Sequence, residues 1–246
     1  MSDLAGKRAL VTGASRGIGA AIALALAERG ADVAITYERS AERAEEVVRA
    51  IESKGRRGFA IQADSADAAA VKRSVDAAAA ELGGLDILVN NAGIARGGPV
   101  AEITLADIDA LLAVNVRSVV LASQAAIPHL GKGGRIISIG SCLGERVPFP
   151  GVTVYSMTKS ALLSFTRGLA RELGPQGITV NLVQPGSTDT DMNPSDGAQS
   201  DLQRSMTALG HYGKSEDIAA AVAFLASPAA RQITGTTLTV DGGANA

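Results

Sequence analysis

Tyr155 and Lys159 stand four residues apart at the start of an apolar run that continues through Ala161, Leu162, Leu163 and Phe165. On a helix such a pair shares one face, with about 5–6 Å between the Cβ atoms. A phenol ordinarily ionises near pH ~10 and is a poor acid at neutrality, but an adjacent ammonium favours the phenolate and lowers that pKa. The pair can therefore donate and recover a proton. The same spacing arises by chance on many surface helices, so its meaning depends on what the rest of the chain supplies.

Length and composition set the frame. The 246 residues suffice for a large core, and α/β chains of this size are often one domain, taken here as residues 1–246. Hydrophobic residues make up 46%, much of it Ala, with three Tyr, four Phe and no Trp, which implies close helix packing through small side chains. The formal net charge is −2 and no basic block occurs, which argues against nucleic-acid and anionic-membrane partners. Cys142 is the lone cysteine, no signal-type apolar segment precedes Lys7 and Arg8, and no stretch approaches ~18 uninterrupted apolar residues. A soluble cytoplasmic protein without a metal site is the expectation.

A second chemical feature lies near the start of the chain. Arg8 to Thr12 reads as a short strand, Gly13-Ala14-Ser15-Arg16-Gly17-Ile18-Gly19 as a glycine turn, and the Ala/Leu run to Glu28-Arg29-Gly30 as a helix. Strand, glycine turn and helix in that order open a dinucleotide-binding βαβ unit, whose backbone N–H groups and helix N-terminus face a pyrophosphate. A plain tight turn before a helix is the alternative. The glycine spacing is G-x-x-x-G-x-G with Thr12 just before it, and in this the sequence resembles the short-chain dehydrogenase/reductase family.

That resemblance extends over residues 6–243 and assigns roles along the chain. It implies that Gly13, Ser15, Arg16, Gly17, Ile18 and Gly19 form the cofactor's phosphate loop. Asp32 to Tyr37 reads as the second strand, followed by Glu38, Arg39 and Ser40. Beside Tyr37, Arg39 and Ser40 can hold a 2′-phosphate through charge-assisted bonds, with Arg16 adding a second guanidinium, so NADP(H) is favoured over NAD(H). Glu38 dissents, since it can bind ribose hydroxyls or repel phosphate; Arg39 and Glu38 also read as solvated ends of the next helix. The resemblance places Asp64, with Ser65, at the adenine edge, although Asp64, Ser65 or Asp67 can each serve as N-cap of a helix over 68–82. Asn90-Asn91-Ala92-Gly93 follows a fourth strand (86–89) and matches a family signature in which Gly93 lets the backbone approach the cofactor. Pro185-Gly186-Ser187-Thr188 follows a sixth strand (178–183), and by resemblance this segment lies along the nicotinamide with Thr188 and Thr190.

The catalytic set is completed on intervening elements. A long helix from Thr104 to Leu130 carries Leu105, Ile108, Leu111, Leu112 and Val116 at helical spacing, interrupted by Asn115. A polar residue on that face needs a partner. The resemblance makes Asn115 the active-site Asn that bends the helix and holds a water against Lys159; a satisfied core Asn is the alternative. A fifth strand (134–141) delivers Ser141, with Ser138 as a second hydroxyl lying within the strand. Ser141 and Tyr155 are 14 apart, one more than in many relatives, so the 144–154 loop is expected to shape the substrate roof differently. Residues 193–213 are polar and Gly-rich and read as a substrate lid or an ordinary surface loop.

Seven strands alternating with helices predict a Rossmann-type, doubly wound, parallel α/β sheet covered on both faces. The resemblance implies an NADP(H)-dependent oxidoreductase that interconverts a small-molecule ketone and a secondary alcohol. In this scheme Ser141 binds the carbonyl oxygen, Tyr155 is the acid/base, Lys159 lowers its pKa and holds the nicotinamide ribose, and Asn115 anchors a water chain. The likeness is to 3-oxoacyl-carrier-protein reductases and related ketoreductases and alcohol dehydrogenases. One of the two basic carrier-docking positions falls on Lys132 and the other on neutral Gln176, which favours a free ketone over a carrier-borne one. A non-catalytic NADP(H) sensor on the same fold is the reading from another class. Family habit implies a homotetramer.

Overall fold

The central strands of this protein carry short apolar runs, as expected where a sheet is covered on both sides, while the edge strands are more polar and more exposed. The computed structural model of the chain describes residues 2–246. Seven strands, β1 (Arg8–Val11), β2 (Asp32–Tyr37), β3 (Gly58–Gln62), β4 (Leu85–Asn90), β5 (Leu130–Ile139), β6 (Thr179–Pro185) and β7 (Thr237–Val240), form one parallel sheet in the order β3-β2-β1-β4-β5-β6-β7. Alternate residues face opposite ways. Ala9, Val11, Val33, Ile35, Ile87, Val89, Ile137, Ile139 and Val183 pack against α1 (Gly17–Glu28), α2 (Ala41–Glu52) and α8 (Ser215–Ala226). Leu10, Ala34, Leu88, Ile136 and Val180 pack against α3 (Ala68–Leu82), α5 (Ser118–Ala126) and α6 (Thr153–Leu173). The doubly wound α/β arrangement predicted from the sequence is the one observed.

Three local departures from the sequence reading matter for the site. The single helix expected over 104–130 is broken: α4 (Leu105–Leu112) is capped by the Thr104 hydroxyl and leads into a π-helical turn, Ala113–Arg117, before α5 and a 3₁₀ turn at Ile127–His129. A one-turn π insertion shifts the side chains beyond it around the axis, and here it is centred on Asn115. The stretch Leu105–His129 is long and apolar enough to span a membrane by length and composition, but more than half of its most apolar window is buried inside the fold. Strand β5 begins at Leu130 rather than Gly134 and ends at Ile139, leaving Ser141 just beyond it. Asp67, rather than Asp64 or Ser65, caps α3, accepting from the Ala69 and Ala70 N–H groups at 2.8 and 3.2 Å, while Asp64 accepts from Ala66 N at 2.7 Å.

The strand order reverses between β1 and β4, which opens a crevice outside their carboxyl ends. Glycines line it where no side chain fits. Gly13 has φ +63°, and a Cβ there would lie 2.8 Å from Ala92 Cα; at Gly19 a Cβ would meet the Asn91 amide and lie 2.8 Å from Ala14 Cα. Gly13→Ala thus imposes both a left-handed backbone on a residue with a Cβ and a backbone clash. We expect it to cost about 2–3 kcal/mol and to lower the melting temperature by roughly 5–10 °C for a domain of this size. An unchanged melting temperature in calorimetry would show that the Ala92 segment yields, contrary to this packing.

Candidate active site

The crevice is held open by a clasp between the turns that follow β1 and β4. Thr12 Oγ1 accepts from the backbone N–H of Asn91 at 3.0 Å and of Ala92 at 3.1 Å. In return the Asn91 amide donates to the carbonyls of Thr12 and Gly13 at 2.9 and 3.0 Å. Thr36 on β2 accepts from Gly13 N at 2.9 Å, so three strands fix the glycine loop. Asn90 points the other way and donates to Ser123 at 3.1 Å and Ser138 at 3.4 Å, a structural role inside the sheet. The loop Gly13–Arg16 then enters α1 with Gly17, Ile18 and Gly19 on its first turn, whose N–H groups have no intrahelical partner.

Tyr155 and Lys159 lie in the first two turns of α6, beside this clasp. Lys159 is buried, and its Nζ donates to the Ile139 carbonyl at the end of β5 at 3.1 Å. Gly93 stands against it, since a Cβ there would approach Lys159 Nζ at 3.4 Å and Asn115 Oδ1 at 3.5 Å. The Asn115 amide is committed: Oδ1 accepts from Ile94 N at 2.9 Å, and Nδ2 donates to Ile94 O at 3.0 Å and to Thr158 Oγ1 at 3.1 Å. The π turn therefore ties the segment after Gly93 to α6, one residue before Lys159. Thr158 was not read from the sequence as part of this site, because a threonine between Tyr155 and Lys159 has no distinguishing type or spacing.

The electrostatics differ from the simple picture of a phenol acidified by its lysine. Burial lowers Lys159 to about 8, and burial raises Tyr155 to about 12, with the Ser141 hydroxyl opposing that rise. The ammonium lies 5.8 Å from the Tyr155 ring centroid and spends a hydrogen bond on Ile139, so in the free protein it does not bring the phenol into the neutral range. The phenol thereby stays in its neutral, proton-bearing form. Ser141 caps the 3₁₀ turn Cys142–Gly144, its Oγ accepting from Leu143 N at 3.2 Å, which keeps the hydroxyl at the crevice. Cys142 beside it is buried and its thiol is pushed up to about 11, chiefly by burial, so it is a poor nucleophile.

On the other wall, the carboxyl end of β2 does not present the expected pair of arginines. Arg39 turns to solvent and pairs with Glu38 at 2.8 Å. Arg16 instead donates to Asp191 at 3.0 Å, and Arg43, on the first turn of α2, donates to the same oxygen at 2.6 Å. Arg43 and Asp191 were not read from the sequence as site residues; 148 positions separate them. Ser40 makes no capping hydrogen bond through its side chain. Beyond β6, Gly186 sits so close to Asp241 that a Cβ would lie 2.6 Å from its Cα, which pins the turn after Pro185. Thr188 is buried with its hydroxyl on the Gly186 carbonyl at 3.1 Å, and Thr190 crosses to the glycine loop, 3.4 Å from where a Gly17 Cβ would be. The 193–213 segment contains α7 (Ser200–Ser205), fastened by Gln203 to Ser187 at 2.7 Å and to Asn193 at 2.9 Å.

Comparison with known proteins decides the family. The family described as enoyl-(acyl carrier protein) reductase matches residues 13–245. A short-chain dehydrogenase of Burkholderia cenocepacia, solved in complex with NADP, is 65% identical and superposes with a TM-score of 0.98 over 99% of this chain and 100% of that one. The chain belongs to the short-chain dehydrogenase/reductase family. It is also 44% identical to a 3-oxoacyl-[acyl-carrier-protein] reductase of Staphylococcus aureus, over 96% of this chain and 97% of the relative. A cyclic-di-GMP-binding biofilm dispersal mediator protein of Escherichia coli is 43% identical over 98% of both chains. As a member of this family the protein is an NADP-binding oxidoreductase. The residues fit that cofactor: side-chain-free backbone at Gly13, Gly17 and Gly19, a glycine at 93 beside Lys159, and two guanidinium groups, from the glycine loop and from the first turn of α2, converging on Asp191.

The burial of Lys159 has a measurable cost. Its folded pKa, about 8, lies below the unfolded value of 10.5. Below pH 8 both states carry the charge and the native state bears the full desolvation penalty. Between pH 8 and 10.5 the unfolded chain binds more protons, so the lysine's penalty fades as pH rises. Lys159→Met removes the charge, at the expense of the Ile139 hydrogen bond. We expect the variant to be more stable than wild type at pH 7 by up to about 2–3 kcal/mol, with the gap narrowing above pH 8 and closing only above pH 10.5. A variant that melts below wild type at pH 7 would contradict this.

Proposed function

We propose that the protein reduces a small free ketone to a secondary alcohol, and catalyses the reverse oxidation, with Tyr155 as acid/base. The observation that carries this reading is the meeting of Ser141, Tyr155 and Lys159 beside Gly93 at the carboxyl ends of β4 and β5. The bound nicotinamide cofactor supplies or accepts the hydride. Ser141 donates a hydrogen bond to the carbonyl oxygen, and Tyr155, neutral in the free protein, passes its proton to that oxygen as negative charge develops there. Lys159, positive below pH 8, stabilises the phenolate left behind and holds the nicotinamide ribose. Asn115 acts on this set through position, holding Ile94 and Thr158 so that the glycine of Asn91-Ala92-Gly93 stays against the lysine.

Delivery of the substrate on a carrier protein is the second reading, supported by the name of the Staphylococcus relative. Against it, Lys132 and Gln176 lie at the amino ends of β5 and β6, the sheet edge opposite Tyr155, and only one of them is charged. The Escherichia coli relative's name records binding of a cyclic dinucleotide; a purely sensing role leaves the buried cost of Lys159 without a purpose.

Tyr155→Phe keeps the packing of the ring and removes the transferable proton. Its turnover, followed as NADPH absorbance over a panel of free ketones and a 3-oxoacyl carrier protein, is expected to fall by at least ~10²–10⁴-fold while the circular dichroism and melting temperature stay near wild type. Wild-type turnover by the variant would refute Tyr155 as the acid, and a strong preference of the wild type for the carrier-borne substrate would replace the free-ketone reading.

We also propose a homotetramer. Leu105, Leu112, Val120 and Met157 on α4, α5 and α6 are exposed, at 72%, 39%, 40% and 51%, an apolar set that subunit packing between these helices would cover. Sedimentation at micromolar concentration should give a species of four chains; a monomer would overturn the proposal.

A further inference from the structure

Two guanidinium groups from different walls of the cofactor groove meet on one oxygen of one carboxylate. Arg16, just before α1, and Arg43, in the first turn of α2, each donate through Nη1 to Asp191 Oδ2, at 3.0 and 2.6 Å. Asp191 stands on the segment leaving β6, one residue beyond the Thr190 that lies across Gly17. All three side chains are about half exposed, and the paired arginines hold the Asp191 carboxyl below its ordinary range. Convergent guanidinium groups make an anion site, and a carboxylate already fills this one.

The place of this site in the fold says which anion it suits. In a doubly wound sheet the adenosine ribose lies at the carboxyl end of the second strand, and α2 starts four residues after β2 ends. The N-terminus of α2 adds partial positive charge, and the Ser40 hydroxyl there carries no capping bond. Arg39, the residue that sequence alone would put on a ribose phosphate, is turned to Glu38 in solvent. Arg43 is instead the arginine of this region that joins Arg16 on Asp191.

We propose that Asp191 is an internal competitor for the 2′-phosphate of NADP(H): Arg43 and Arg16 together bind that phosphate, which displaces the Asp191 carboxylate, so Asp191 tunes the preference between NADP(H) and NAD(H). A phosphate monoester carries about −1.5 to −2 charges at pH 7 and three acceptor oxygens, against one charge on a carboxylate. It therefore takes the arginines. Were Asp191 to stay beside it, the two anions would repel. NAD(H) has a hydroxyl in that place and leaves both ion pairs intact. The Thr190–Asp191 segment stays tied across the glycine loop with NAD(H) and is untied with NADP(H).

This rests on reading the groove as the dinucleotide site, and calorimetric titration of NADP⁺ and NAD⁺ into wild type, Asp191→Asn and Arg43→Gln at low ionic strength tests both. Asp191→Asn should tighten NADP⁺ about 3–10-fold, the range for losing one exposed ionic competitor, and leave NAD⁺ within about twofold. Arg43→Gln should weaken NADP⁺ by about 10-fold or more and leave NAD⁺ within about twofold. Weaker NADP⁺ binding to Asp191→Asn, equal shifts for both dinucleotides, or unchanged NADP⁺ binding to Arg43→Gln would each overturn the proposal. Failure of wild type to bind either dinucleotide would instead overturn the reading of the groove, and the proposal with it.

Discussion

The clasp between Thr12 and Asn91 is the constraint on which the rest of the site depends. Four hydrogen bonds join the turn after β1 to the turn after β4 at the point where the strand order reverses. Each bond uses a buried or half-buried group that would otherwise cost free energy to leave unpaired. Because the two turns touch through glycine, with no side chain between Gly13 and Ala92, the crevice has bare backbone on one side and Gly93 on the other. A side chain at Gly13 would collide with the Ala92 backbone and push apart the two turns that border the groove.

The part of the site that carries the phenol and the ammonium is built by a different device. Lys159 and Tyr155 come from α6, and their placement relative to β4 is set by Asn115, which spans from Ile94 to Thr158 out of a π-helical turn. The π turn is the local irregularity that turns an amide inward from an otherwise apolar helix face. Its effect is to fix a buried ammonium beside Gly93 at the expense of stability, an exchange common where a protein keeps a charge for chemistry. The phenol and the ammonium are both displaced from their ordinary pKa values by burial, in opposite senses, and both shifts favour the neutral form.

Much of this was legible in the residues. The glycine loop, the Asn-Asn-Ala-Gly run, and the Tyr155–Lys159 pair are contiguous or short-range patterns, and each lies where the sequence reading put it. The central strands were legible because a parallel sheet buried on both faces needs apolar runs there. Boundaries were less so: β5 starts four residues early at Leu130, and the helix containing Asn115 is divided, since both depend on what neighbouring elements do with backbone groups rather than on residue type. The cap of α3 fell to Asp67 among three eligible residues because only that one precedes the first helical turn at capping distance.

By itself the sequence determined the α/β architecture, through its apolar periodicity, and through its resemblance to a family it pointed to the dinucleotide groove and to the phenol–ammonium pair of Tyr155 and Lys159. Tertiary structure alone decided how those residues are used. It set Lys159 on the Ile139 carbonyl rather than on the phenol, turned Arg39 out to Glu38, and brought Arg16, Arg43 and Asp191 onto one oxygen from three distant segments. Such choices are made by burial and by the competition of charges across the fold, and neither is written in the order of neighbouring residues.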